Sequence, residues 1–224
     1  FFGLLWFFGL RGVTGFKFGH QAIHKVAVWG KKSMDIAVSN GYRKSQVVIT
    51  GQPRFDRIQS TNWVSRDQET LDEYAISPEE KIVLYLPTKG ITSQYFASTD
   101  EQIDMYRQLS DSLRIINESG VKSRLIVKLH RDEDVNEFSR LVGDILPNDA
   151  VVVQSAELYP LLSVASVGIT TASTAGLEAL LFGTPLVILN SGNRPDFYPF
   201  STSGPAVAAA NAEELKLAIV QQLD

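Results

Sequence analysis

Short runs of Val, Ile and Leu without polar alternation recur along the chain, separated by longer stretches whose apolar residues fall near a 3.6-residue period. The first kind reads as strand buried on both faces and the second as amphipathic helix. Taken in order, Lys25–Trp29 predicts a strand, Lys31–Asn40 a short helix closed by Gly41, and Val47–Thr50 another strand. Residues Arg54 to about Ser77 are polar and charged, with weak helical spacing through Ile58, Val64, Leu71 and Tyr74. This stretch reads as a connector with some helix and as the domain boundary.

Beyond it the rhythm is regular. Strands are predicted at Ile82–Leu86, Arg124–Lys128, Ala150–Val153, Val167–Thr170, Pro185–Leu189 and Ala206–Ala209. Helices are predicted at Glu101–Ser119, Glu133–Gly143, Glu157–Val164, from near Ser173 to Gly183, and from Ala212 onward. Strand–helix alternation of this kind implies an α/β fold, a parallel sheet with helices on both faces. No internal repeat or low-complexity segment interrupts it. The opening run FFGLLWFFGL is about half the length of a membrane-spanning helix and has no basic segment before it, so it reads as buried structure of a domain whose start is missing. A membrane segment or an interfacial anchor is the alternative. The chain reads as a fragment of a longer protein.

Composition narrows the function. The 224 residues are 44% hydrophobic, enough for a sizeable core, and the net charge of −4 with scattered Lys and Arg argues against a nucleic-acid partner. Cysteine is absent, which excludes disulfides and metal-thiolate sites. The chain has no G-x-S-x-G elbow, no P-loop and no G-x-G-x-x-G after a strand, so hydrolase, P-loop and nicotinamide chemistry lack support.

A parallel sheet binds ligands outside the carboxyl ends of its strands. The residues following the predicted strands are Thr88-Lys89-Gly90, His130-Arg131, Gln154-Ser155, Thr171 to Thr174 and Asn190-Ser191. Hydroxyl, cationic or ionisable groups recur across these segments, a set suited to an anionic ligand. The turn before the helix at Ser173 combines hydroxyls, backbone amides and a helix N-terminus, which together suit a phosphate. One hydroxyl, at Ser173 or Thr174, is expected to serve as the helix cap. Glu178 lies among Leu177, Ala179, Leu180 and Leu181 on an otherwise apolar helix. It cannot close a capping box with Ser173, because that position is Gly176. A buried carboxylate needs a polar partner, and the hydroxyl pair of a ribose would supply one. Asp132-Glu133-Asp134 has a D-x-D spacing but opens a helix, where acids are favoured without a metal. His20 and His24 have zinc-ligand spacing with no third ligand in sight. Arg54 and Asp56 suit a turn as well as a substrate contact.

The run TTASTAGLEALLFGTPLVILN resembles the nucleotide-binding motif of the GT-B superfamily, in its branch of bacterial surface-polymer transferases and UDP-N-acetylglucosamine 2-epimerases. KVAVWGKKSMDIAVSNGYRKSQVVITGQPRFD is similar to the segment that leads from the N-terminal domain to the linker in CDP-glycerol glycerophosphotransferase-like proteins. KIVLYLPTKG resembles their first C-terminal strand, IVKLHRDED their phosphate-contacting histidine loop, and GPAVAAANAEELKLAI their late strand and helix. The resemblance implies a Rossmann-like nucleotide-binding domain at 79–224, a linker at 57–78, and at 1–56 the tail of a truncated N-terminal domain.

It also implies roles. His130, with Arg131, Thr171, Ser173 and Thr174, would meet the phosphates of a UDP- or CDP-type donor; Glu178 would bind the ribose; Thr88 and Lys89 would line the cleft between domains. His130 would be the catalytic group of this half, stabilising the departing phosphate. The catalytic base would come from the N-terminal domain, where His20 is a candidate. No metal or cofactor is implied, the donor being a nucleotide-sugar or nucleotide-alditol and the acceptor a glycan or polyol-phosphate. The setting would be the cytoplasm, with peripheral association at the inner membrane face left open, as is oligomeric state. Relatives often follow the loop histidine with Pro, where this chain has Arg131. The epimerases carry a double Gly after the serine and paired acids in the helix, where this chain has Ser173-Thr174-Ala175 and one acid, although Asn193-Arg194-Pro195-Asp196 resembles an epimerase segment. A transferase is therefore expected, with the epimerase and a non-catalytic nucleotide-sugar-binding domain as alternatives.

Overall fold

The computed structural model describes residues 24–223 except 61, 64–66, 89–98, 172, 191–199 and 202–203. The apolar opening run, His20, Lys89 and residues 193–196 thus lie outside the described residues. The chain divides into two compact units, residues 1–60 and 61–224, and the division falls inside the stretch read as a connector.

In the first unit, β1 (Val26–Val28) pairs in parallel with β2 (Val47–Ile49). Helix α1 (Lys31–Ser39) joins them and is followed by Asn40 and by Gly41 at φ +100°, a left-handed position where a side chain would be strained. Val28, Ala37, Tyr42 and Val47 form its small core. Helix α2 (Pro53–Ser60) starts with a proline, whose missing N–H is harmless at that position. Its Phe55 ring meets Trp29 edge-on at 5.7 Å.

The second unit holds α3 (Asp67–Glu73), β3 (Lys81–Leu86), α4 (Thr99–Glu118), β4 (Ser123–Lys128), α5 (Val135–Val142), β5 (Val151–Val153), α6 (Leu158–Val164), β6 (Val167–Thr170), α7 (Ala175–Phe182), β7 (Leu186–Leu189), β8 (Val207–Ala209) and α8 (Ala212–Leu223). The six strands are all parallel, in the order β5-β4-β3-β6-β7-β8. This is the expected doubly wound, Rossmann-like sheet. Alternate residues along the strands face opposite layers. Val83, Tyr85, Leu125, Val127, Val167, Ile169, Val187 and Leu189 pack with residues of α4, α5 and α8. The other face meets α6 and α7, and α3 packs on α6. The helices change face where the strand order reverses, between β3 and β6. Tyr85, Tyr106 and Phe138 stack edge-to-face in series, each pair 5.4 Å apart, and burial pushes both tyrosine hydroxyls well above their ordinary pKa. At the amino edge, Arg124 bridges Glu80 at 2.9 Å and the Asp149 carbonyl at 3.2 Å, tying three strand starts together.

Several boundaries differ from the sequence reading for local reasons. The helix expected from Glu133 begins at Val135, because the Asp134 carboxylate accepts the amides of Asn136 and Glu137 (2.8 and 3.0 Å) and so caps it. The connector contains two short helices, with acids in their first turns (Asp56; Asp67 and Glu69) where the dipole favours them. Its second half packs on the larger unit: Trp63 is buried, 5.4 Å from Tyr159 and 5.9 Å from Phe182 between ring centres. Trp63→Ala should therefore destabilise the larger unit by about 3–5 kcal/mol, read from the midpoint of chemical denaturation.

Candidate nucleotide-binding site

The carboxyl ends of β3, β4 and β6 lie side by side at one edge of the sheet. Leu86 is level with Thr170 and Tyr85 with Val127, so Thr88, His130 and Thr171 extend from three adjacent strands spaced about 5 Å apart. The reversal of strand order between β3 and β6 is where ligands settle in doubly wound sheets. There the Thr88 and Thr171 hydroxyls share a hydrogen bond of 2.6 Å. One residue back, the fully buried Thr170 hydroxyl donates to the Leu86 carbonyl at 2.7 Å and accepts the Ser173 amide at 3.3 Å. Thr170 thus links the two strands and folds the turn that presents the other hydroxyls. The sequence reading placed it inside the strand with no further role. Its signal was the position: a hydroxyl at the last residue of a buried strand, before a small-residue turn.

Helix α7 begins one residue later than expected, with Thr174 as its N-cap residue and Gly183 closing it at φ +86°. The capping hydroxyl is nonetheless that of Ser173, which accepts the Ala175 amide at 3.2 Å. The Gly176 amide donates to the Ser173 carbonyl and the Leu177 amide to the Thr174 carbonyl, both at 3.0 Å. The helix terminus was expected to offer backbone amides to an anion. In fact its first amides are already satisfied by the turn, so the terminus presents hydroxyls and the positive end of the dipole instead. Gly176 brings the helix close to the sheet: a Cβ there would stand 3.1 Å from Thr170 Cγ2 and 3.3 Å from Leu186 Cδ2. Glu178, in the first turn, is 4% exposed. A carboxylate held this deep is favoured by its place near the positive helix end.

The histidine loop is densely bonded. The His130 amide donates to Glu133 Oε2 at 2.7 Å, the Glu133 amide returns a bond to the His130 carbonyl at 3.0 Å, and the Asp132 amide donates to His130 Nδ1 at 3.2 Å. Lys128, at the end of β4 beside this loop, is committed to backbone carbonyls. Its ammonium donates to the carbonyls of Leu129 (2.9 Å) and Gln154 (2.7 Å). Burial lowers its pKa, and the Glu133 carboxylate opposes that shift. Arg131 is 79% exposed and lies 3.7 Å from Asp132. Asp134 caps α5 and Glu133 binds the loop backbone, so these two acids of the D-x-D run serve the turn.

The structure therefore brings Thr88, Thr171, Ser173 and Thr174 together around the β3–β6 junction and sets His130 on the adjacent strand end, while Glu178 is buried in the first turn of α7.

The profile of the CDP-Glycerol:Poly(glycerophosphate) glycerophosphotransferase family matches residues 31–188, more than half of the chain. The chain belongs to this family. No curated protein matches it in sequence. Solved structures share its fold. The wall teichoic acid polymerase TagF superposes with a TM-score of 0.59 at 16% identity, over 89% of this chain and 51% of that one. MnaA of S. aureus, solved with UDP, gives 0.62 at 16% identity over 92% and 52%. The UDP-GlcNAc 2-epimerase of Methanocaldococcus jannaschii, in complex with UDP-GlcNAc and UDP, gives 0.65 at 10% identity over 90% and 54%. At such identities the likeness is one of fold alone, and the chain spans about half the length of these structures. The matched family segment contains the whole hydroxyl cluster, His130 and Glu178. Among the described residues, no helix is long and apolar enough to cross a membrane.

Thr170→Val keeps the shape of this family member's core but removes the donor to Leu86 and the acceptor for Ser173. It should lower stability by about 1–3 kcal/mol, measured by denaturant unfolding, and speed amide exchange at Ser173.

Proposed function

We propose that the chain is the donor-binding half of a transferase that moves a group from a nucleotide-diphosphate donor, of CDP or UDP type, onto a glycan or polyol-phosphate acceptor in cell-surface polymer synthesis. Membership of the glycerophosphotransferase family supports this reading. The observation that carries it is the hydroxyl cluster of Thr88, Thr171 and Ser173 at the strand-order reversal, with His130 on the next strand end and Glu178 buried in the first turn of α7. Hydroxyls and the positive end of α7 would hold the diphosphate, and Glu178 would accept from the ribose hydroxyls. His130 would donate a hydrogen bond to the phosphate that departs, and donors already in place at a developing charge lower a barrier without reorganisation. Lys89 and Arg131 would add positive charge around the same phosphates. No metal is called for in this arrangement. The catalytic base and the acceptor site belong to the rest of the full-length protein, so this chain alone should bind donor without turning it over. Its work would be done in the cytoplasm, with peripheral association at the inner membrane face left open.

Sugar-nucleotide epimerisation is the second reading, favoured by the fold shared with the UDP-GlcNAc 2-epimerase. Product analysis with full-length protein separates the two.

Calorimetric titration of the chain with UDP, CDP, CMP and ADP should show binding selective for one pyrimidine diphosphate. Glu178→Gln should weaken that binding roughly ten-fold or more, as expected for a lost hydrogen bond to a charged group. A folded chain that binds none of the four would refute the donor-site reading.

A further inference from the structure

We infer that Gln154 is a positioning residue for His130, holding its loop so that the imidazole carries its proton on Nε2; the purpose of that proton, though not the placement itself, rests on the nucleotide-site reading above. The inference starts from Nδ1. It accepts the Asp132 amide at 3.2 Å, and a neutral imidazole that accepts at one nitrogen bears its hydrogen on the other. Nε2 is then the donor nitrogen.

A competitor stands close by. The Asp132 carboxylate lies 3.7 Å from the same Nδ1. A carboxylate can only accept from a neutral ring, so if it replaced the amide it would draw the proton onto Nδ1 and leave Nε2 an acceptor, which repels a phosphate oxygen. Which of the two Asp132 groups faces the ring depends on the turn of residues 130–133. A side chain from beyond the loop ties that turn down. Gln154 Nε2 donates to the carbonyl of Arg131 at 3.2 Å and, more closely still, to that of Glu133. Both hydrogens of its carboxamide are thereby used on the two carbonyls that flank Asp132 in the loop.

Gln154 is itself anchored where β5 ends. Its carbonyl accepts from Lys128 Nζ at 2.7 Å, and the neighbouring Val153 carbonyl accepts the Leu129 amide at 2.8 Å. The ends of β4 and β5 are thus pinned together, and the carboxamide spans from that pin to the loop. Few side chains can do this. Asn is one carbon shorter, Glu has the shape but no hydrogen to give, and Met has the length but no polar group. The Glu133 carboxylate, bonded to the His130 amide at 2.7 Å, closes the turn from within.

The test reads the ring directly. The chain has three histidines, His20, His24 and His130, so side-chain ¹⁵N spectra of the histidine-labelled chain are simple, and His130→Gln identifies the signal. At a pH above the imidazole titration, the wild-type ring should show the Nε2–H tautomer alone. Gln154→Glu and Gln154→Met, each checked for cooperative unfolding, should both populate the Nδ1–H tautomer. Affinity for the bound pyrimidine nucleotide should fall roughly ten-fold in both variants. Agreement of the two variants separates the lost donor from the added charge of Glu. An Nδ1–H ring in the wild type, or an unchanged Nε2–H ring in both variants, overturns the inference. Failure of the wild-type chain to bind any nucleotide overturns only the donor-site reading, and the ring spectra still decide the role of Gln154.

Discussion

Reversal of the strand order between β3 and β6 is the constraint on which the site depends. Up to β5 the chain winds outward in one direction with α4 and α5 on one face, then returns past its own start and winds the other way with α6 and α7 on the opposite face. The two strands at the reversal are neighbours whose following segments lead to opposite faces, so nothing covers their carboxyl ends by construction. Backbone groups leaving a sheet there lose their ladder partners. In this protein threonines substitute for that ladder: Thr170 reaches across to Leu86, and Thr88 meets Thr171. The hydroxyl that satisfies the sheet backbone is thus buried beneath the pair that meets above it.

Two loops next to that junction are organised by different means. The turn into α7 is self-contained, since Ser173 and Thr174 satisfy the first amides of the helix and Gly176 lets the helix sit against Thr170. Its geometry follows from local chemistry. The histidine loop is held from a distance, by a lysine at the end of β4 and a glutamine just past β5. Lys128 shows the consequence. A cation beside a candidate phosphate site would ordinarily be assigned to the phosphate, yet its ammonium is committed to two carbonyls and partly buried, and its charge stabilises the loop instead of a ligand.

Family membership and the site agree in kind. A glycerophosphotransferase must hold a diphosphate and release one of its phosphates, tasks for hydroxyls, a helix end and a neutral donor such as imidazole. The cost of burying Glu178 is moderated by its place in the first turn of α7. The likeness to epimerases in fold reflects the same sheet serving a different chemistry, and fold alone does not distinguish them.

Much of this was legible in the chain itself. Runs such as KIVLYL and VGIT, apolar on both faces, require a sheet covered on two sides, and the helices between them require parallel strands. From that alone follows the edge on which Thr88, His130, Thr171 and Ser173 must gather, and the Gly at 183 that ends α7 is equally local. What the sequence could not show is which polar group faces which. Thr170 looked like an interior strand residue because its partner, the Leu86 carbonyl, is far away in the chain. Gln154 carried no pattern at all, since its acceptors lie on another loop. The first amides of α7 were read as available because the sequence does not reveal which acceptors the turn supplies. Periodicity encodes which face of an element is buried, so it determines the layers and the edge. Hydrogen bonds between loops depend on distances that only the packed sheet sets, and those decided how the site is built.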